Sequence, residues 1–93
     1  MKGIKAIYDN GGETLDRYLV YYSNRRAWGF GRVDRNREGR LLYPGVSMSA
    51  IPFHPQGFGQ HGSGTLGRHN GKRIEFKDLP EDCQVLVLGD LKE

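Results

Sequence analysis

Apolar positions in this chain come in short, turn-bounded runs, the pattern of a small sheet. Ile4-Lys5-Ala6-Ile7-Tyr8 reads as a first strand, and Asp9-Asn10-Gly11-Gly12 as the turn after it, since Asn and Gly accept the positive φ angles of a tight reversal. Arg17 to Tyr22 is dense in β-branched and aromatic residues and predicts a second strand, antiparallel to the first. Arg26 to Val33 alternates, with Arg26, Trp28, Phe30 and Arg32 on one face, and predicts a third. Asp34 to Gly39 has the composition of a hairpin loop, and Arg40 to Tyr43 returns as a fourth strand. Lys72 to Phe76 predicts a short fifth strand. Asp78 and Pro80 then mark the start of a helix along which Cys83, Leu86, Val87 and Leu91 recur at helical spacing, the face that packs on the sheet. Gly89 weakens that helix near its end.

Between these elements, Pro44 to Gly67 contains no Asp, Glu, Lys or Arg, yet carries Phe53, His54, Phe58, His61 and several glycines. Disordered linkers lack aromatics and carry charge, so the segment reads as a long ordered Gly/aromatic loop packed on something. The whole is an α+β domain over residues 1–93: a small antiparallel sheet of four to five strands, that loop, and one C-terminal helix. A core of this size is thin.

The net charge of +3 hides an uneven distribution. From Arg25 to Arg40 six arginines face Asp34 and Glu38, and Arg68, Lys72 and Arg73 add further positive charge, whereas six acids outnumber Lys77 and Lys92 from Ile74 onward. A basic middle and an acidic end can attract each other between subunits, or leave the basic side to an anionic ligand. The single cysteine, Cys83, excludes an intramolecular disulfide, and the absence near Met1 of a charged region followed by an apolar run predicts a cytoplasmic protein. No apolar run approaches the ~20 residues of a membrane span.

Four groupings carry candidate chemistry. In Asp9 to Tyr18, a glycine turn stands next to a hydroxyl and to Arg17, whose guanidinium suits phosphate oxygens, although an ordinary hairpin turn has the same composition. In Phe53-His54-Pro55-Gln56-Gly57-Phe58-Gly59-Gln60-His61-Gly62, flat apolar rings stand among neutral amides and imidazoles: aromatic faces stack on bases and Gln can pair with a base edge, or the loop is ordered by burying its own rings. The alternation of Arg26, Trp28, Phe30 and Arg32 matches a strand that grips single-stranded nucleic acid, or a half-buried strand with its arginines directed outward. His54, His61 and His69 follow no common zinc spacing, which predicts no metal; no cofactor is indicated, and no spacing selects a nucleophile with its base, which predicts no enzyme.

Ala6-Ile7-Tyr8-Asp9-Asn10-Gly11-Gly12, Asp16-Arg17-Tyr18, Met48-Ser49, Pro52 to His61, Gly67-Arg68-His69 and Phe76-Lys77-Asp78-Leu79-Pro80 together resemble a family of small uncharacterised phage and prophage proteins. The resemblance covers most of the chain and departs from Asn24 to Arg40, where the Arg-rich hairpin lies. It implies a phage setting, in the host cytoplasm, and such proteins are often inhibitors of host defence. The resulting expectation is a binding protein that sequesters an anionic, nucleotide-derived host signal of the cyclic oligonucleotide or ADP-ribose type. The residues assigned to ligand are Arg17, Tyr18, Phe53, His54, Gln56, Phe58, Gln60, His61, Arg68 and His69, with Lys72 near the phosphates. A homo-oligomer with ligand near the subunit interface is expected, because a chain this small gains an enclosed pocket by pairing. The alternatives are direct inhibition of a host defence enzyme or nuclease through the Arg-rich hairpin, and single-stranded nucleic acid binding through Arg26, Trp28, Phe30 and Arg32.

Overall fold

The computed structural model describes residues 2–24 and 35–92. Strands β1 (Ile4–Asp9), β2 (Tyr18–Tyr22), β3 (Tyr43–Met48), β4 (Gly59–Gly64) and β5 (Lys72–Arg73) precede one helix, α1 (Glu81–Leu91), among the described residues. The strands form one sheet of order β4-β3-β2-β1-β5 in which every pair is antiparallel. This is the α+β architecture expected from the sequence.

Period-two alternation decides what each sheet face buries. Ile7, Tyr18, Val20, Tyr22, Val46 and Met48 form one cluster with Leu79, Cys83 and Val87, so α1 lies against this face. The helix starts after Pro80, with Glu81 and Asp82 in its first turn, where carboxylates complement the positive end of the helix dipole. Ala6, Tyr8 and Tyr21 form a second cluster on the opposite face, covered in part by Leu19, Tyr43 and Leu66.

The opposite face is covered because β4 and β5 occupy opposite edges of the sheet, so the chain between them must cross it. Residues 65–71 make this crossing as a strap. Gly67 N–H donates to the Tyr8 hydroxyl at 3.1 Å, the Tyr21 hydroxyl donates to Asn70 Oδ1 at 3.3 Å, and Asn70 Nδ2 donates to the Thr65 and Gly67 carbonyls.

Three expectations need correction. The segment from Pro44 to Gly67 is not one long loop: it supplies the interior strand β3 and the edge strand β4, and the loop shrinks to residues 49–58. The strand expected from Arg40 to Tyr43 accordingly runs from Tyr43 to Met48, preceded only by an isolated bridge between Arg35 and Leu41. Along β3 the lack of charge follows from burial, since Pro44, Gly45, Val46 and Met48 lie in the middle of the sheet, whereas the loop and β4 are uncharged and largely exposed. The fifth strand ends at Arg73, and Phe76–Asp78 is a 3-10 turn. The strand expected from Arg26 to Val33, with Arg26, Trp28, Phe30 and Arg32, lies outside the described residues.

Candidate functional site

Side chains proposed for ligand contact are distributed over three places. At the end of the sheet where Asp9, Tyr18, Met48 and Gly59 pair, Arg17 is committed within its own turn: Nε donates to Asp9 Oδ1 at 2.8 Å and Nη2 to Asp9 Oδ2 at 3.0 Å. Arg17 holds the Asp9 carboxyl below its ordinary range. The glycine turn is filled in the same way, because Gly11 N–H donates to Asp9 Oδ1 while Gly12 and Glu13 N–H donate to Asn10 Oδ1. Its amides serve their own neighbours. Tyr18 is buried under α1 and Arg17 lies over its ring at 5.2 Å.

The 49–58 loop springs from this same end. Ser49 N–H donates to the Phe58 carbonyl at 2.8 Å, Phe58 N–H donates to Ser49 Oγ at 2.9 Å, and tight turns run from His54 N–H to the Ile51 carbonyl and from Gly57 N–H to the His54 carbonyl. His54 Nδ1 accepts from Gln56 N–H at 3.1 Å. Phe53 is 58% exposed, so its ring is available at the surface and does not plug the interior. His54 and Gln56 are exposed, and Phe58 is half-buried.

Gln60 and His61, adjacent on β4, part company. His61 pairs in register with Val46 and so faces α1, where its Nε2 lies 2.8 Å from Asp90 Oδ2, the same oxygen that accepts the Tyr22 hydroxyl at 2.6 Å. Burial, then this bond, push the Tyr22 phenol well above its usual range. The Tyr22, His61, Asp90 cluster ties the edge strand to the end of the helix. Sequence reasoning missed it, since its members stand 29 and 68 positions from Asp90 and only the β3/β4 register brings them to one face.

Gln60 pairs with Ser47 and belongs to the opposite face. There Leu19, Tyr21, Ser47 and Gln60 surround a depression of about 150 Å³ whose lining includes Gly45 and Gly62 and extends to His61 on the edge strand. Two glycines let the Tyr21 ring lie where it does: a Cβ on Gly64 would come 2.3 Å from the Tyr21 hydroxyl, and one on Gly45 would come 2.4 Å from the Val20 carbonyl oxygen and 2.9 Å from the ring. Burial pushes the Tyr21 phenol up to about 12. Tyr21 joins the depression to the strap through its bond to Asn70, and Asn70 ends the 3-10 turn that begins with Arg68 and His69, both exposed. Arg40 reaches the strap as well, donating from Nη2 to the Leu66 carbonyl at 2.8 Å. Arg68 and His69 on the strap, and Arg40 bonded to it, lie outside the lining of the depression, whose other end leads through the Met48 and Gly59 pair to the aromatic loop.

At about 150 Å³ the depression is smaller than the ~300–1,000 Å³ that enclose a drug-sized ligand, which makes it a seat for one ring or one small polar group. A larger groove, about 540 Å³, runs along β1 beyond the two-residue β5, but Glu75 and Asp78 line it beside Lys5, Arg73 and Lys77, a mixed lining for an anion. Among the described residues no group of His, Cys, Asp and Glu side chains is arranged to hold a metal ion, and no helix is long and apolar enough to cross a membrane. Compared with family models, characterised proteins and solved structures, the chain matches none.

Proposed function

We propose that this chain is a non-catalytic phage protein, acting as a homo-oligomer in the host cytoplasm, that captures an anionic nucleotide-derived host signal of the cyclic oligonucleotide or ADP-ribose type. The observation that carries the reading is the depression on the sheet face away from the helix, with Leu19 and Tyr21 as apolar walls and Ser47 and Gln60 as polar edges, on the same face that the strap crosses with Arg68 and His69 exposed and Arg40 bonded to it. A base seated against Leu19, at the edge of the buried Tyr21 ring, would meet neutral hydrogen-bonding groups, while phosphates over the strap would meet guanidinium donors able to bond two oxygens at once. Phe53, exposed on the 49–58 loop, offers a second stacking surface for a ligand larger than the depression.

Calorimetric titration with a cyclic dinucleotide, a cyclic trinucleotide and ADP-ribose tests this. Saturable binding of one of them is expected, with the ligand recovered chemically intact after the complex is heat-denatured. Gln60→Leu should weaken that binding, and Arg68→Glu should weaken it about tenfold or more, the loss of a charge-assisted contact. Binding of none of the three rejects the capture reading and transfers the weight to direct contact with a host protein. A converted product rejects the claim that no chemistry occurs.

A further inference from the structure

α1 buries Cys83 and Val87 against the sheet, yet it exposes Val85 at 53% and Leu88 at 40%. These two belong to a stripe, Glu81, Val85, Leu88 and Lys92, spaced by four, three and four residues. At 100° per residue the four side chains fall within an arc of about 60° on the side of the helix facing away from the core. All four are exposed. The order along the stripe is acid, apolar, apolar, base, which is self-complementary when read backwards.

We infer that this outer stripe of α1 is a homodimer interface, in which two copies pair their helices antiparallel about a two-fold axis passing between Leu86 and Val87. In that arrangement Glu81 faces Lys92 of the partner subunit and Val85 faces Leu88 of the partner subunit, each contact occurring twice, as an isologous interface requires. The helix dipoles run in opposite senses, with Glu81 at the positive end of its own helix and Lys92 at the negative end. Gly89 flanks the stripe with open space where a side chain would stand, which permits close approach of the partner helix.

The helix of 11 residues is about 16 Å long, too short to supply the ~800 Å² per partner of a standard interface. More apolar surface lies beside it. Pro52 and Leu86 both pack at Gly59, where a Cβ would meet them at 3.8 and 3.3 Å, and the residues flanking Pro52, Ile51 and Phe53, are 49% and 58% exposed. The expected dimer is therefore weak and concentration-dependent. It forms on the side of the sheet opposite the depression, so each subunit keeps its open face outward, whereas sequence reasoning put ligand near the subunit interface. The pairing is independent of the capture reading, since no residue of the stripe lines the depression.

Sedimentation equilibrium of the full chain at low ionic strength and without nucleotide, in a concentration series reaching millimolar, tests the inference. The unmodified chain should pass from monomer to dimer across the series. Glu81→Lys and Lys92→Glu should each weaken dimerisation at least tenfold by setting like charges opposite one another twice, and the double variant should regain it. Val85→Asp should also leave a monomer, with helicity by circular dichroism as the folding control; should it not fold, the charge-reversal set decides alone. A monomer at every concentration, single charge variants that dimerise like the parent, or a double variant no better than the singles would each overturn the inference.

Discussion

Cys83 shows how burial can set a residue's chemistry. Its Sγ is fully shielded, donates to the Ser49 carbonyl at 3.2 Å, and is pushed by burial, and then by the Asp82 charge, from its ordinary 9.0 up to about 11. That rise lowers the thiolate fraction at neutral pH about 100-fold, and the thiolate is the reactive species. A disulfide reagent should therefore leave the native protein unlabelled over minutes at neutral pH and label it fully in denaturant; fast native labelling would show that α1 does not seal this part of the core. Arg17 makes the converse point. Chain position put it beside a glycine turn suited to phosphate, but Asp9 is close enough to take two of its five N–H donors in a fork, one on each carboxylate oxygen. No spacing rule could reveal that, because Asp9 is part of the same turn in either reading. Replacing Asp9 with Asn would free the guanidinium and should lower stability chiefly above the carboxylate range: the depressed Asp9 carboxyl contributes stability above the unfolded Asp pKa, and this contribution is lost as pH falls through the native value.

Among the elements, β1, β2 and α1 were legible because each carries its own signature: alternation with β-branched and aromatic residues for the strands, and Pro80 followed by a buried Cys83 and Val87 pair for the helix. β3 and β4 were not legible. Pro44 and Gly45 are poor strand residues, yet the ladder to β2 begins only at Gly45, so Pro44 pairs across to β4 alone. β4 reads Gly-Gln-His-Gly-Ser-Gly and has no intrinsic strand preference; six paired residues with β3 make it a strand. Its glycines also make room for Tyr21, so the element that looked least structured shapes the candidate site. Gly45→Ala should cost about 1–3 kcal/mol in denaturant unfolding, because the clash is with the Val20 backbone oxygen, which cannot rotate away. Met48→Ala, at a fully buried position of the same strand, should cost about 2–5 kcal/mol.

At the scale of the molecule, the strap that crosses the sheet divides the protein into two unlike sides: a helix-covered side, and a side where tyrosines, glycines and the strap share one thin layer. Sequence reasoning found Gln60, Arg68 and His69 as candidates, but could not place them on one face, which depends on strand order. Buried protonated groups stand on both sides of the sheet, Tyr22 and Cys83 under the helix and Tyr21 under the strap, and all three are raised from their ordinary values. The consequence is alkaline lability. An acid whose native pKa exceeds its unfolded value favours the fold while protonated, so its contribution is complete below the unfolded value and falls away as pH climbs toward the native one. Cys83 sets the loss between pH 9 and about 11, and Tyr21 extends it from 10 to about 12. The melting temperature should hold level up to about pH 9 on this account, then fall steadily. Tyr21→Phe keeps the ring and removes the titrating hydroxyl with its long 3.3 Å bond to Asn70; it should shift the melting temperature little at pH 8 and make the decline above pH 10 shallower. An unchanged slope in that variant would mean that the strap does not keep water from the Tyr21 hydroxyl, and the depression beside it would then be more open than a seat for a base requires.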